Sequence, residues 1–128
     1  MPSSHERHLY EYAVIRYLPR VEREEFINVG LVMMCKRRRW IRVKVEVDES
    51  RLSAFSPCAD LPLLRCQLDA FCRVADGCEG AIGSLDVHER FRWLTAVRSA
   101  CLSTSRPHPG LTEDLDDTFE RLFADLVL

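Results

Sequence analysis

Three observations predict an α+β domain with an antiparallel three- to four-stranded sheet and helices packed on one face. The first 47 residues hold three runs rich in β-branched and aromatic side chains, joined by short connections. From Asp60 onward the apolar spacing changes to the threes and fours of amphipathic helices. The chain has 128 residues, 47% hydrophobic and 30% charged, which fits one globular domain rather than a disordered chain or a coiled-coil rod.

Residues 1–8 are polar and read as a flexible tail, leaving 9–128 as a single α+β domain. Tyr10–Leu18 is aromatic and β-branched and stops at Pro19, which predicts the first strand. A charged connection from Pro19 to Glu25 leads to Phe26–Cys35, nearly apolar on both faces and read as the second strand. Lys36–Arg39 has the length of a hairpin loop. Trp40–Val47 then alternates, with Ile41, Val43, Val45 and Val47 on one face and Trp40, Arg42, Lys44 and Glu46 on the other. Three such strands with short links make a meander.

A short helix is expected from Glu49 to Phe55. Between Asp60 and Ala75, Leu61, Leu64, Leu68, Phe71, Cys72 and Ala75 fall on one helical stripe, which Gly77 ends. Gly80–Ser84 reads as a loop. Asp86 with Glu89 three residues later resembles a capping box opening a helix through Leu94. Thr95–Leu102 is expected as a fourth strand, and Arg106–Gly110, with two prolines, as irregular. Thr112–Leu126 places Leu115, Phe119, Leu122, Phe123 and Leu126 at helical spacing behind a cluster of acids, so it closes the order β-β-β-α-α-β-α.

The hairpins suggest a register. Pairing Leu18 with Phe26 sets Arg16 opposite Asn28 and Val14 opposite Gly30. Pairing Met34 with Trp40 sets Asn28 opposite Glu46 and Gly30 opposite Lys44. The second face of the sheet then carries a polar row, Arg16–Asn28–Glu46, beside a gap at Gly30. A glycine inside a strand marks a bulge or a close approach of another backbone or ligand.

The net charge of −2 conceals two opposed patches. Residues 36–44 hold six cations, and residues 113–125 hold six acids against the single Arg121. The six cysteines lie at least six positions apart, without the paired spacing of a zinc site, and the start of the chain lacks the pattern of a secretory signal. Reduced cytoplasmic thiols acting as small core hydrophobes are therefore expected, with no metal and no cofactor. The longest apolar run, Val29–Cys35, is too short to span a bilayer, so no membrane association is expected.

No phosphate loop, dinucleotide fingerprint, metalloprotease motif or nucleophile elbow is present. The candidate binding surface is polar: Arg16, Asn28, Gly30, Trp40 and Arg42 on the sheet, joined to Arg98, Ser99 and His108 in the loops. A protein-interaction or regulatory module without catalysis is the leading expectation. The alternative is nucleic-acid binding through the basic hairpin, using Lys36, Arg37, Arg38, Arg39, Trp40, Arg42 and Lys44. A small enzyme using His108 with a carboxylate such as Glu25 ranks third, because a lone histidine needs a partner.

The stretches Tyr12–Pro19 and Glu25–Val32, the block Phe91–Ser99, and Pro107–Asp114 with Leu122–Phe123 together resemble a bacterial family, domain of unknown function 3037. The three blocks occur in order over about residues 10–127. Val97 and Leu115 stand where members often carry proline, which touches loop shape rather than membership. The resemblance brings no activity. It implies a small cytosolic protein encoded beside a HipA-like serine/threonine kinase, and hence a protein partner for which that kinase is a candidate.

Overall fold

The computed structural model describes residues 6–19, 23–57, 59–78, 80–96 and 101–128. Strands β1 (His8–Tyr17), β2 (Ile27–Cys35) and β3 (Trp40–Val45) form the expected meander. Helices α1 (Glu49–Phe55), α2 (Leu61–Ala75), α3 (Gly80–Gly83) and α4 (Val87–Ala96) follow, then β4 (Leu102–Thr104), β5 (His108–Thr112) and α5 (Leu115–Leu126). The domain is α+β, with strand order β3-β2-β1-β4 and β5 paired separately to β1, all antiparallel.

Local chemistry sets the helix starts. Asp48, Asp60 and Asp114 each sit in extended backbone and accept a hydrogen bond from the N–H three residues on, at 3.1, 3.0 and 3.0 Å. These carboxylates satisfy donors that the helix itself leaves open. Gly77, at φ +77°, takes the left-handed turn after α2.

Three sequence expectations need correction. The segment expected as a strand from Thr95 begins instead as the end of α4. Thr95 bonds back to the Phe91 carbonyl at 3.0 Å while Phe91 and Leu94 stay buried, so the helical contacts continue through Ala96. Strand β4 is confined to Leu102–Thr104, and 97–100 lie outside the described residues. Arg106–Gly110 is not irregular either, since His108, Pro109 and Gly110 begin β5 and pair with Tyr12, Glu11 and Tyr10. A sheet edge tolerates proline because its missing donor need not serve a second neighbour. Gly80–Gly83, expected as loop, forms the single turn α3.

Between β4 and β5 the ladder is carried by Ser105. Its N–H donates to the Val14 carbonyl at 2.9 Å, and its hydroxyl accepts the Val14 N–H at 2.9 Å. One buried serine thus satisfies both backbone groups of a core residue.

The helices divide between the two faces. α1, α2 and α4 bury Leu52, Leu64, Leu68, Phe71, Phe91 and Leu94 against Ala13, Ile15, Tyr17, Val32 and Met34. α5 alone covers the other face, setting Leu115, Phe119 and Phe123 on Val14, Leu31, Met33 and Cys35. The single-face packing expected from the sequence therefore holds for the first group and not for α5. The reason is visible in β2, whose run Val29–Cys35 is buried throughout and needs cover on both sides.

Candidate functional site

The sheet register decides which polar residues meet. Arg16 stands opposite Asn28, as the first hairpin predicts, and Tyr17 opposite Ile27. One step further the pairing shifts, because Ile15 faces Gly30 and Val29 is left as the extra residue of a bulge. The second hairpin also differs from expectation. Its four-residue turn Lys36–Arg39 closes on Cys35 and Trp40, with Arg39 at φ 50°, so Gly30 faces Val45 rather than Lys44. A one-residue slip would by itself turn β2's side chains over, and the bulge restores the face below it.

Gly30 owes its identity to close packing. A Cβ there would lie 2.9 Å from the Lys44 carbonyl oxygen, 2.9 Å from Val45 Cγ1 and 3.0 Å from Ile15 Cδ1. The gap expected at Gly30 is thus filled by the neighbouring strands.

The bulge displaces one member of the polar row: Glu46 stands beside Val29 rather than opposite Asn28, while Arg16 and Asn28 keep their pairing and Ser103 joins them. Ser103 of β4 stands opposite Arg16, and Arg16 stands opposite Asn28. Glu46 follows β3, donates its N–H to the Val29 carbonyl at 2.8 Å, and lines a cleft with Asn28. Asn28 Nδ2 donates to the Leu126 carbonyl at 2.8 Å, tying the row to the end of α5.

The other candidate residues have separate surroundings. Arg42 donates to Asp116 at 3.2 Å and to Glu120 at 2.5 Å, and its guanidinium lies 4.6 Å from the Phe119 ring centroid. Lys44 donates to Glu120 at 3.2 Å and lies over Phe123. Trp40 meets Phe119 edge-on, with ring centroids 6.4 Å apart. The strand half of the basic patch and the acidic helix are therefore each other's partners. Lys36, Arg37, Arg38 and Arg39 are exposed on the turn.

His108 is exposed on β5, its ring 5.3 Å from that of Tyr12. Glu25 pairs with Arg23 at 2.8 Å in the β1–β2 connection, beyond the far end of β1. His108 pairs with Tyr12, and the strand runs on from there to Tyr17 before the connection that holds Glu25. That is about 16 Å of strand, so the structure does not bring His108 and Glu25 together. Arg98 and Ser99 lie outside the described residues.

Arg16 has the most unusual surroundings of the predicted residues. Its guanidinium carbon sits 4.1 Å from the centroid of the Phe26 ring. It is only partly exposed, its Nε is buried without a hydrogen-bond partner, and it pairs with no carboxylate among the described residues. Asn28 Oδ1, on the residue directly opposite, is likewise buried and unpartnered. Next to this pair a cleft of about 260 Å³ is lined by Asn28, Glu46, Arg51 and Val127. It adjoins a shallower groove formed by Phe26, Ile27, Asn28, Arg51, Ala54 and Phe55. Phe26 and Phe55 are 43% and 37% exposed, which is high for phenylalanines beside a core. Arg51 donates to the Val127 carbonyl at 3.2 Å.

Sequence reasoning singled out Arg16 and Asn28 but missed Phe26, Phe55 and Arg51. Phe26 reads as one more strand residue and Phe55 as the end of a short helix, so neither advertises its exposure.

A family model described as a protein of unknown function (DUF3037) matches residues 12–127, nearly the whole chain. The chain belongs to the DUF3037 family. No curated protein and no solved structure matches it.

In this DUF3037 protein burial, followed by repulsion from Asp76 and Asp69, pushes the Cys72 thiol up. Burial also raises the Tyr17 phenol, with Cys101 and Asp60 adding to the effect. Among the described residues no cluster of three metal-ligating side chains occurs, and no helix is long and apolar enough to cross a membrane.

Proposed function

We propose that this DUF3037 protein is a non-enzymatic protein-binding module. Its contact surface is the end of the sheet where Arg16, Phe26 and Asn28 meet α1. One observation carries the reading. Arg16 is partly buried, stacked on an exposed phenylalanine, and has no carboxylate partner among the described residues. A partly desolvated guanidinium gains most from an anionic group, and arginine flanked by aromatic rings is a frequent centre of protein interfaces. Phe55 extends the apolar surface along the same groove. A HipA-like serine/threonine kinase is the first partner to test, on the resemblance given above.

A second reading rests on the turn. Lys36, Arg37, Arg38 and Arg39 place four consecutive cations in solvent, as a phosphate-binding loop would. Trp40, Arg42 and Lys44, which would extend that surface, are engaged with α5. The sheet-end reading is therefore preferred.

Affinity capture from host lysate separates the two when three tagged forms are compared: the native chain, Arg16→Glu, and a form with the turn cations changed to serine. The proposed function expects a stoichiometric protein companion that Arg16→Glu loses and the turn variant keeps. Retention by Arg16→Glu overturns it. Nucleic acid that leaves as salt rises, and is lost with the turn variant, establishes the second reading instead.

A further inference from the structure

Resting on that reading of the sheet end, we propose that the Arg16–Asn28 pair is a site for the free carboxyl terminus of a partner chain, with an apolar last residue. The site is defined by what these two opposed side chains still need.

Asn28 is fixed by its own bond. Its Nδ2 donates to the Leu126 carbonyl, and a carbonyl there can only accept, so the amide's orientation follows from its neighbour. The opposite atom, Oδ1, is therefore an acceptor of set direction, buried and without a donor. Across the strand pair, Arg16 Nε is a donor, buried and without an acceptor, on a side chain whose positive charge meets no carboxylate among the described residues. Leaving such groups unmatched costs free energy in a folded protein, and more for a charged group than for a neutral one.

A ligand that completes both must bring an acceptor, preferably an anion, together with an N–H donor. A phosphate dianion or an Asp or Glu side chain offers acceptors alone and would crowd oxygen against Asn28 Oδ1. The last residue of a peptide offers both: its carboxylate suits the planar guanidinium fork, and its own amide N–H lies one bond from the same Cα. Its side chain would then rest against Phe26, Ile27, Ala54 and Phe55 of the adjoining groove.

Because both orphan atoms are closed from solvent, the ligand enters as the Phe26 ring turns off the guanidinium. That ring is 43% exposed and free of a strand neighbour on its outer side, so the motion is a side-chain rotation. Stacking holds the guanidinium plane until then.

The test uses the full chain, isotope-labelled, and a pair of short peptides ending in leucine that differ only at the terminus, one a free acid and one an amide. Titration followed by NMR should move the Arg16 Nε–H and Asn28 side-chain signals with the acid, and the amide should bind at least about tenfold more weakly. Arg16→Gln should abolish the difference while keeping the dispersed spectrum of a folded chain. Arg16→Lys should restore part of it, since charge remains but the fork is gone. Inorganic phosphate serves as the probe for a generic anion site.

Equal binding of acid and amide, no movement of these signals at millimolar peptide, or equal response to phosphate would each overturn the proposal. This failure is distinct from failure of the broader reading. A captured protein that is lost with Arg16→Glu, yet competed equally by acid and amide peptides, would leave the docking surface standing and remove the carboxyl-terminal ligand.

Discussion

Arg42 of β3 reaches Glu120 of α5 at 2.5 Å while its guanidinium lies over Phe119 of the same helix. One side chain thus joins the charge and the apolar halves of the second layer. The helix is held chiefly by its aromatic stripe, and the ion pairs orient it, because exposed pairs contribute little on their own.

Phe119 is completely buried between α5 and the sheet, so its removal tests whether α5 is integral to the fold. Phe119→Ala should destabilise the protein by about 3–5 kcal/mol, as large-to-small changes at aromatic core positions do. Urea unfolding followed by circular dichroism measures this. A loss below about 1 kcal/mol would show that α5 is a loosely attached layer.

Glu120 gives the seam a pH signature. The hydrogen bond from Lys44, aided by the attraction of Lys44 and Arg42 and opposed by desolvation, holds its carboxyl below the ordinary 4.5. A carboxylate lowered on folding stabilises the protein above its unfolded pKa, and that contribution is lost as pH falls through the folded value. Glu120→Gln should therefore melt below the native chain at neutral pH, with the gap closing as pH drops beneath 4.5. Melting curves across that range decide it, and a gap that stays constant contradicts the assignment.

Gly30 tests the bulge. A methyl group there meets a backbone oxygen at 2.9 Å, and a backbone oxygen yields only if the strand moves. Gly30→Ala is expected to cost about 1–3 kcal/mol, the usual range for overpacking, despite the ordinary preference for alanine over glycine. Denaturant midpoints at unchanged slope provide the check, and a neutral or stabilising result would mean β2 and β3 pair differently.

Asp114 caps α5 through the Asp117 N–H at 3.0 Å. Asp114→Ala should lower stability by about 1 kcal/mol, and Asp114→Ser should recover most of it, because serine caps comparably well. The comparison of both variants in one unfolding series separates capping from simple loss of charge.

Much of the architecture was legible because period and punctuation agree there. The α2 span follows directly from Asp60 and the Leu64–Leu68–Phe71–Ala75 stripe, and α1 matches its expected span Glu49–Phe55. The alternation of Trp40–Val45 likewise assigns Ile41 and Val43 to one layer and Trp40 and Arg42 to the other. Strand β5 was hidden because Pro109 and Gly110 carry turn chemistry, and only its place at an edge makes them compatible with pairing. The side taken by α5 was hidden too, since an amphipathic stripe says that a helix is buried and not against which face.

For the candidate site, the sequence held the Arg16–Asn28 pairing, which needs only the first hairpin register. It could not show that Arg42 is neutralised by a helix more than seventy residues away, or that Arg16 is left without such a partner. Both facts depend on long-range packing. The exposure of Phe26 and Phe55 has the same origin, because it follows from where the two helical layers end.

The central claim is that a protein partner seats on the sheet end around Arg16, Phe26 and Asn28. Hydrogen–deuterium exchange of the captured complex against the free chain tests it most directly. New protection is expected in the peptides covering Phe26–Gly30 and Arg51–Ser56, with the Lys36–Arg39 turn unchanged. Protection confined to that turn, or to β5 around His108–Thr112, would contradict it.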